Sequence, residues 1–272
     1  MKIIVTGVTL SGNLGGYAML LAVKDVLAPK IKDFALASIL PKRDKAINKY
    51  NDLRIMSSDY KIWLMFTTPL CMLLWPFRKK KFIIWCARKI PILKYFSDID
   101  AVIDLSGIAF VDKRGFALLI YNIAIVLPGL FFDKPVYKLS QALGPFNKKI
   151  NQTSAIWILN RCQKVIARGE KSLANLRAIG IKNVAHYPDT SFALNISRDT
   201  RKKALDIVKK NVPAYKTTKL ILISPSAVVE NYCKKTGLNL VDEFCKTIYS
   251  LSIQGMHCAL IAHSTDTGIA KN

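Results

Sequence analysis

The sequence predicts an α/β fold built on a parallel, doubly wound sheet. Short apolar, β-branched runs recur along the chain, and helical patterns separate most of them. The first connection adds a second clue. The run KIIVTGV (2–8) passes through the glycine-rich SGNLGG (11–16) directly into a helical pattern. Strand, glycine turn and helix in that order form the opening half of a parallel crossover unit.

Taken in order, KIIVTGV reads as a buried strand and GYAMLLAVKDVLAP (16–29) as a helix stopped by Pro29. FALASIL (34–40), DAVIDLSG (100–107), PVYKLSQALG (135–144), KVIAR (164–168) and NVAHYP (183–188) are further strands. Helices are predicted over 116–127, roughly 151–162, and 170–179, the last closed by Gly180 just past its end. Beyond Pro213 a second unit begins. There KLILISPS (219–226) and MHCALIAH (256–263) are strands on either side of the amphipathic helix LNLVDEFCKTIYSLSIQG (238–255). Two strands are too few for an independent sheet, so either these elements dock on the first sheet or the second domain is cut short; the expected domains are 1–212 and a partial one over 213–272. Truncation inside that second domain is the expectation.

With 272 residues, 51% of them apolar, the chain can bury a real core and lies outside the disordered regime. The 41 Lys and Arg against 18 Asp and Glu leave a net charge of +23, with only three Glu among the acids. Such an excess favours phosphates, acidic glycans, nucleic acid or an anionic membrane face. A genome-wide bias toward lysine produces the same excess without any partner. Six cysteines without a C-x-x-C pair fit a reducing, cytoplasmic compartment, and no secretory signal precedes the first strand. The absence of a G-x-S-x-G elbow and of a Walker P-loop argues against hydrolase and P-loop ATPase chemistry. Three scattered histidines give no metal-ligand spacing, so no metal is expected.

Segment 60–97 stands apart, with eight basic residues and no acid. Inside it, IWLMFTTPLCMLLW (62–75) runs 14 residues without a charge, whereas a bilayer span needs about 20. Two readings stay open: a buried helical hairpin, or an interfacial segment lying on an anionic membrane.

Three places draw attention as candidate sites. The loop 7–16 offers glycine backbone and helix N–H groups to an anion, although its spacing is not G-x-G-x-x-G and no ribose-binding acid follows. The alternative is an ordinary tight turn. Arg168 ends an apolar strand just before Gly169 and the helix carrying Ser172. Its guanidinium there suits a carboxylate or phosphate, or else an ion pair with Asp189 or Glu170. His263 closes the last apolar run, where an imidazole at a strand's carboxyl end can act as general acid or base. His257, at the other end of that run, and His186 suit such a role less well.

Several motifs then fall together in order: SGNLGG, IDAVIDLSGIAF (99–110), KPVYKLSQALGPF (134–146), VIARGEKSLANLRAIGI (165–181), HYPDTSFAL (186–194) and LILISPS. Along nearly the whole chain this series resembles the polysaccharide pyruvyl transferase family. The resemblance implies two Rossmann-like domains in a B-type glycosyltransferase-like arrangement, the second incomplete here. It also implies transfer of a pyruvyl group from phosphoenolpyruvate to sugar hydroxyls of a cell-surface polysaccharide or its precursor. It assigns Arg168 and His263 to catalysis, and Asn13, Gly15, Gln141, Gly144, Ser172 and Asp189 to substrate binding or shaping, with no cofactor besides the donor. Pro145 falls in the same central loop as Gln141 and Gly144. The chain departs from the family at Gly16, where an acid is usual. It departs again at Leu105-Ser106-Gly107, a shortened glycine run, and in ending at Asn272 before a later Ser-Arg-x-His element. The expected setting is the cytoplasm, peripherally at the inner face of the membrane, with a glycan or lipid-linked glycan acceptor. A nucleotide-sugar glycosyltransferase on the same architecture is the alternative enzyme. A non-enzymatic basic protein that binds nucleic acid or membrane is the third class, and the chain has no nucleic-acid motif to favour it.

Overall fold

The computed structural model describes residues 1–57, 63–212, 219–225 and 227–261. By its contacts the chain divides into two compact units. The first holds Met1–Ser11 and Gly15–Leu194; the second holds Gly12–Leu14 and the described residues from Asn195 onward.

The first unit opens with β1 (Lys2–Thr6), α1 (Leu14–Leu27), β2 (Asp33–Ser38), α2 (Pro41–Ile47) and β3 (Leu53–Ser57). Three short helices follow, α3 (Thr68–Leu74), α4 (Lys81–Ala87) and α5 (Pro91–Ser97), with a π-helical turn at Trp63–Thr67 leading into α3. Next come β4 (Ala101–Asp104), β5 (Ile108–Ala109), α6 (Phe116–Ala124), α7 (Leu127–Phe131) and β6 (Val136–Leu143). The unit closes with α8 (Lys149–Leu159), β7 (Lys164–Arg168), α9 (Glu170–Ala178) and β8 (Val184–Tyr187).

Seven strands pair in the order β3-β2-β1-β4-β6-β7-β8, every pair parallel, and β5 adds two residues beside the end of β6. The chain builds outward from β1 to β3, returns to the other side of β1, and builds outward again. The order therefore reverses between β1 and β4, which is where open α/β sheets form their ligand crevice.

Burial on both faces explains why the strands read as continuous apolar runs. Ile3 and Val5 pack with Leu20, Phe34, Leu36 and Ile103 on one face. Ile4, Val102, Val136 and Val165 pack with Phe96, Phe131 and Ile158 on the other. The expected helix 116–127 is broken in two, because Pro128 in the first turn of α7 has no N–H to continue α6.

Strand β6 carries an irregularity that matters below. Its pairing with β7 shifts register between Lys138 and Gln141, and Ser140 adopts a left-handed φ of 47°. An inserted residue of this kind reverses the alternation of side chains along a strand. Val136 and Leu143, of opposite parity in sequence, accordingly share one core.

One side of the 63–97 segment is anchored in the larger core through Trp63, Cys71, Ala87, Leu93 and Phe96, and Trp75 packs on Trp157 at 4.9 Å. The hairpin reading accounts for that side alone, since the opposite side is exposed. Among the described residues no helix is long and apolar enough to cross a membrane.

In the second unit, α10 (Arg198–Asn211) precedes β9 (Lys219–Ile223), α11 (Ala227–Thr236), α12 (Leu240–Ile253) and β10 (Met256–Leu260). Strands β9 and β10 pair in parallel, from Lys219↔Met256 to Ile223↔Leu260.

Candidate functional site

The carboxyl ends of β1, β4, β6, β7 and β8 lie along one edge of the sheet, and the residues just past them build the site. At β1 the chain leaves through Gly7, with φ 82°. A Cβ there would fall 2.5 Å from Asp104 Oδ1 and 2.7 Å from the Ser106 amide. Glycine is needed for both the backbone conformation and the close approach.

Beneath Gly7, Asp104 and its register partner Lys138 form an ion pair, both side chains 0% exposed. Asp104 Oδ1 accepts hydrogen bonds from the Ser106 amide at 2.8 Å and the Ser106 hydroxyl at 2.6 Å. The main-chain oxygen of Asp104 accepts from Gln141 Nε2 at 3.1 Å. Charges buried to this degree survive only when paired and hydrogen-bonded on both partners. The network holds the turn Leu105-Ser106-Gly107 against the end of β6.

Gly107 is where the expected site residue is anchored. The Arg168 guanidinium donates to the Gly107 carbonyl at 3.0 Å and to Asp189 Oδ2 at 2.5 Å. Asp189 in turn accepts the Ser191 amide through Oδ1 at 2.9 Å, capping the short turn Thr190–Ala193. Burial alone would raise the Asp189 carboxyl. The Ser191 amide and the Arg168 guanidinium outweigh it and hold the carboxyl below its ordinary 3.8. Arg168 thus has the ion pair with Asp189 that its spacing allowed. Its side chain is nevertheless 33% exposed, and these two bonds engage two of its five N–H groups.

Behind the arginine, the first turns of α9 grip the end of β6. The Ser172 hydroxyl accepts the Leu143 amide at 3.2 Å, and Asn175 Nδ2 donates to the Leu143 carbonyl at 3.0 Å. Gly144, φ 77°, passes so close to Asn175 that a Cβ would lie 2.7 Å from its Nδ2. The Gly144–Pro145 peptide bond is cis. Gln141 and Ser172 are buried. Their positions suit them to shape the site from behind, with Arg168 at its surface. Among the described residues, the buried oxygens Gln141 Oε1 and Thr6 Oγ1 have no hydrogen-bond partner.

Arg168, Gln141, Gly144, Ser172 and Asp189 therefore come together within the first unit. Gly15 lies in the first turn of α1, and Asn13 in the short 12–14 segment that groups with the second unit. The preceding Ser11 is tied to α2 by its amide and hydroxyl, which donate to buried Asp44 at 2.8 and 2.6 Å. His263 lies outside the described residues. His186 sits in β8 and His257 in β10. Among the described residues no three His, Cys, Asp or Glu side chains gather to hold a metal ion.

Asp104, Ser106 and Lys138 were not expected at the site. The signal was present: an acid ending the apolar run AVID and a lysine inside VYKL are charges in strands buried on both faces, so each needed the other.

Comparison with known proteins supplies the classification. A family model described as polysaccharide pyruvyl transferase matches residues 13–269. No individually curated protein matches the chain. The matched stretch contains Asp104, Lys138, Gln141, Gly144, Arg168, Ser172 and Asp189, and it covers far more than half of the sequence. The chain belongs to the polysaccharide pyruvyl transferase family and is a transferase enzyme.

Proposed function

We propose that the protein transfers a pyruvyl group from phosphoenolpyruvate to two hydroxyls of one sugar, forming a ketal on a cell-surface polysaccharide or its lipid-linked precursor. The observation that carries this reading is the pre-set Arg168. It is fixed by Asp189 and the Gly107 carbonyl, and is partly open at the carboxyl edge of the sheet. A planar guanidinium fixed in this way suits a small, strongly anionic donor, because it can meet a carboxylate or phosphate through paired N–H groups.

In the proposed reaction a proton is added to the methylene carbon of the donor, and one sugar hydroxyl adds at C2. The C–O bond to phosphate then breaks, and the second hydroxyl closes the ketal. Of the two hydroxyl protons, one balances the proton placed on carbon and the other leaves with inorganic phosphate. Arg168 neutralises donor charge as it builds on the departing phosphate. Asp189 keeps the guanidinium in place and touches it in preference to the donor, which its own negative charge would repel. His263 is proposed as the proton carrier on the strength of the family resemblance. Gln141, Gly144 and Ser172 shape the floor of the donor site. Asn13 and Gly15, in the stretch that leads from β1 into α1, are proposed to bind substrate as the family resemblance implies, and the enzyme is proposed to have two Rossmann-like domains arranged as in B-type glycosyltransferases. No further cofactor enters the scheme, and the reaction is proposed to take place in the cytoplasm, at the inner face of the membrane.

Titration calorimetry of the chain with phosphoenolpyruvate tests the reading. Binding is expected, and Arg168→Ala should weaken it about 10- to 100-fold, the worth of one or two charge-assisted hydrogen bonds. Binding of a uridine or guanosine diphosphate sugar, with no response to phosphoenolpyruvate, would establish the glycosyltransferase alternative instead.

A further inference from the structure

We propose that the exposed side of residues 63–89 is a docking surface for an anionic lipid bilayer. The reasoning starts from the helix face that should be polar and is not. Through the π-helical turn and α3, the buried positions are Trp63, Thr67, Thr68 and Cys71. The outward positions are 65, 66, 69, 72 and 73, which recur at helical spacing and read Met, Phe, Pro, Met and Leu. Phe66 is 67% exposed and Leu73 72%. A surface helix ordinarily turns charged residues to water on this side.

The apolar character continues into α4, where Phe82 and Trp85 stack at 6.2 Å, 68% and 58% exposed. Large apolar side chains clustered on a surface mark a site of contact with another phase or partner.

Charge selects the lipid surface. From 63 to 97 there is no acid, and Lys80, Lys81, Arg88 and Lys89 are all exposed beside the apolar residues. Lys89 lies over the Trp85 ring at 5.0 Å. Arg78 and Lys79 are already paired with Asp133, so they are left out of the reckoning. Apolar side chains with an interfacial tryptophan, rimmed by cations that have no acidic partner among the described residues, are the features that hold a peripheral helix at an anionic bilayer. The helices are too short to span it, so the contact is parallel to the membrane plane. This deepens the proposed function by bringing the enzyme to the surface where a lipid-linked acceptor resides. It does not depend on the identity of the donor.

The test is co-sedimentation of the full chain with vesicles, without phosphoenolpyruvate, so that its failure leaves the donor chemistry untouched. The protein should bind vesicles of phosphatidylglycerol and phosphatidylcholine in equal parts, bind pure phosphatidylcholine weakly, and be released by high salt. Lys80→Glu with Lys81→Glu should lower the affinity by about fivefold or more for each charge removed. Phe66→Ser with Leu73→Ser should lower it by about tenfold or more. Unchanged thermal transitions confirm that the variants fold. The unaltered chain gives an independent readout, a blue shift of tryptophan emission on adding anionic vesicles that Trp85→Phe removes. Equal recovery on both vesicle types, or on neither, overturns the proposal. A dimer seen by light scattering and dissolved by Phe66→Ser with Leu73→Ser would assign the face to a second copy of the chain instead.

Discussion

Replacing Lys138 by methionine removes a charge while nearly preserving volume. In the folded protein the ammonium faces Asp104 Oδ2, with both side chains at 0% exposure. Asp104 Oδ1 keeps its two bonds from Ser106 in the variant, but Oδ2 loses its counter-charge with no water at hand to replace it. Breaking a buried pair from one side costs about 3–5 kcal/mol. For a unit of this size that corresponds to a fall of about 6–20 °C in the thermal transition. Adding Asp104→Asn to Lys138→Met removes the stranded charge, so the double variant should recover at least half of the loss. Urea unfolding followed by circular dichroism gives all three values. A cost below about 1 kcal/mol for Lys138→Met would refute the reasoning, as that is the range of an exposed pair. So would a double variant that loses the sum of the single losses. Because Gly107 carries the Arg168 anchor, donor affinity should fall in Lys138→Met and return in part with the double variant.

Three further outcomes are expected. Asp189 is held below its ordinary value of 3.8. Its contribution to stability is therefore fully present above about pH 4 and lost as pH falls through the folded-state value. Asp189→Asn should flatten that acid limb in urea unfolding between about pH 5 and 2, and a limb of unchanged steepness would count against the ion pair. Gly7→Ala places a Cβ 2.5 Å from Asp104 Oδ1 at a φ of 82°, so it should cost at least the 1–3 kcal/mol, roughly, of left-handed strain, read as a lowered midpoint in urea. Gly144→Ala, hemmed in by Asn175, should lower donor affinity in calorimetry more than it lowers the thermal midpoint, because the loop it distorts ends at the site.

The strands were legible where burial on both faces left no choice of residue. KVIAR was expected at 164–168 and is β7. PVYKLSQALG differs from β6 by one residue at each end. What escaped notice was amphipathic or short. LRIMS forms β3 at the sheet edge with an arginine as its second residue, and PKRDKAI forms α2 around a buried Asp44 that three hydroxyl and amide donors satisfy. Neither has the period that gives a helix or strand away; tertiary partners decide them. At the site, Arg168 stood out because a charge at a strand end is costly. Of its partners, Asp189 was one of the two acids the sequence offered and the fold chose it over Glu170, whereas the Gly107 carbonyl, 61 residues away, could be singled out only by the fold. The 63–97 segment left two readings open because one of its sides is buried in the core and the other exposes apolar residues.

The extra residue in β6 divides that strand into two halves with different freedoms. Before it, Val136 and Lys138 answer to the core and the buried pair. After it, Gln141 and the main chain of Leu143 answer to Asp104, Ser172 and Asn175 at the rim, while the Leu143 side chain rejoins the core. If the proposed function holds, a designer who wishes to change which sugar or donor is accepted has a natural cut point at Ser140. Diversity introduced at Ala142 and Pro145 reshapes the rim while Leu143 and Phe146 keep their places in the core. A single-residue deletion upstream would return the strand to regular alternation and turn the rim's side chains to the wrong face. Tolerance to length change on the two sides of one residue is thus a selectable trait of this scaffold.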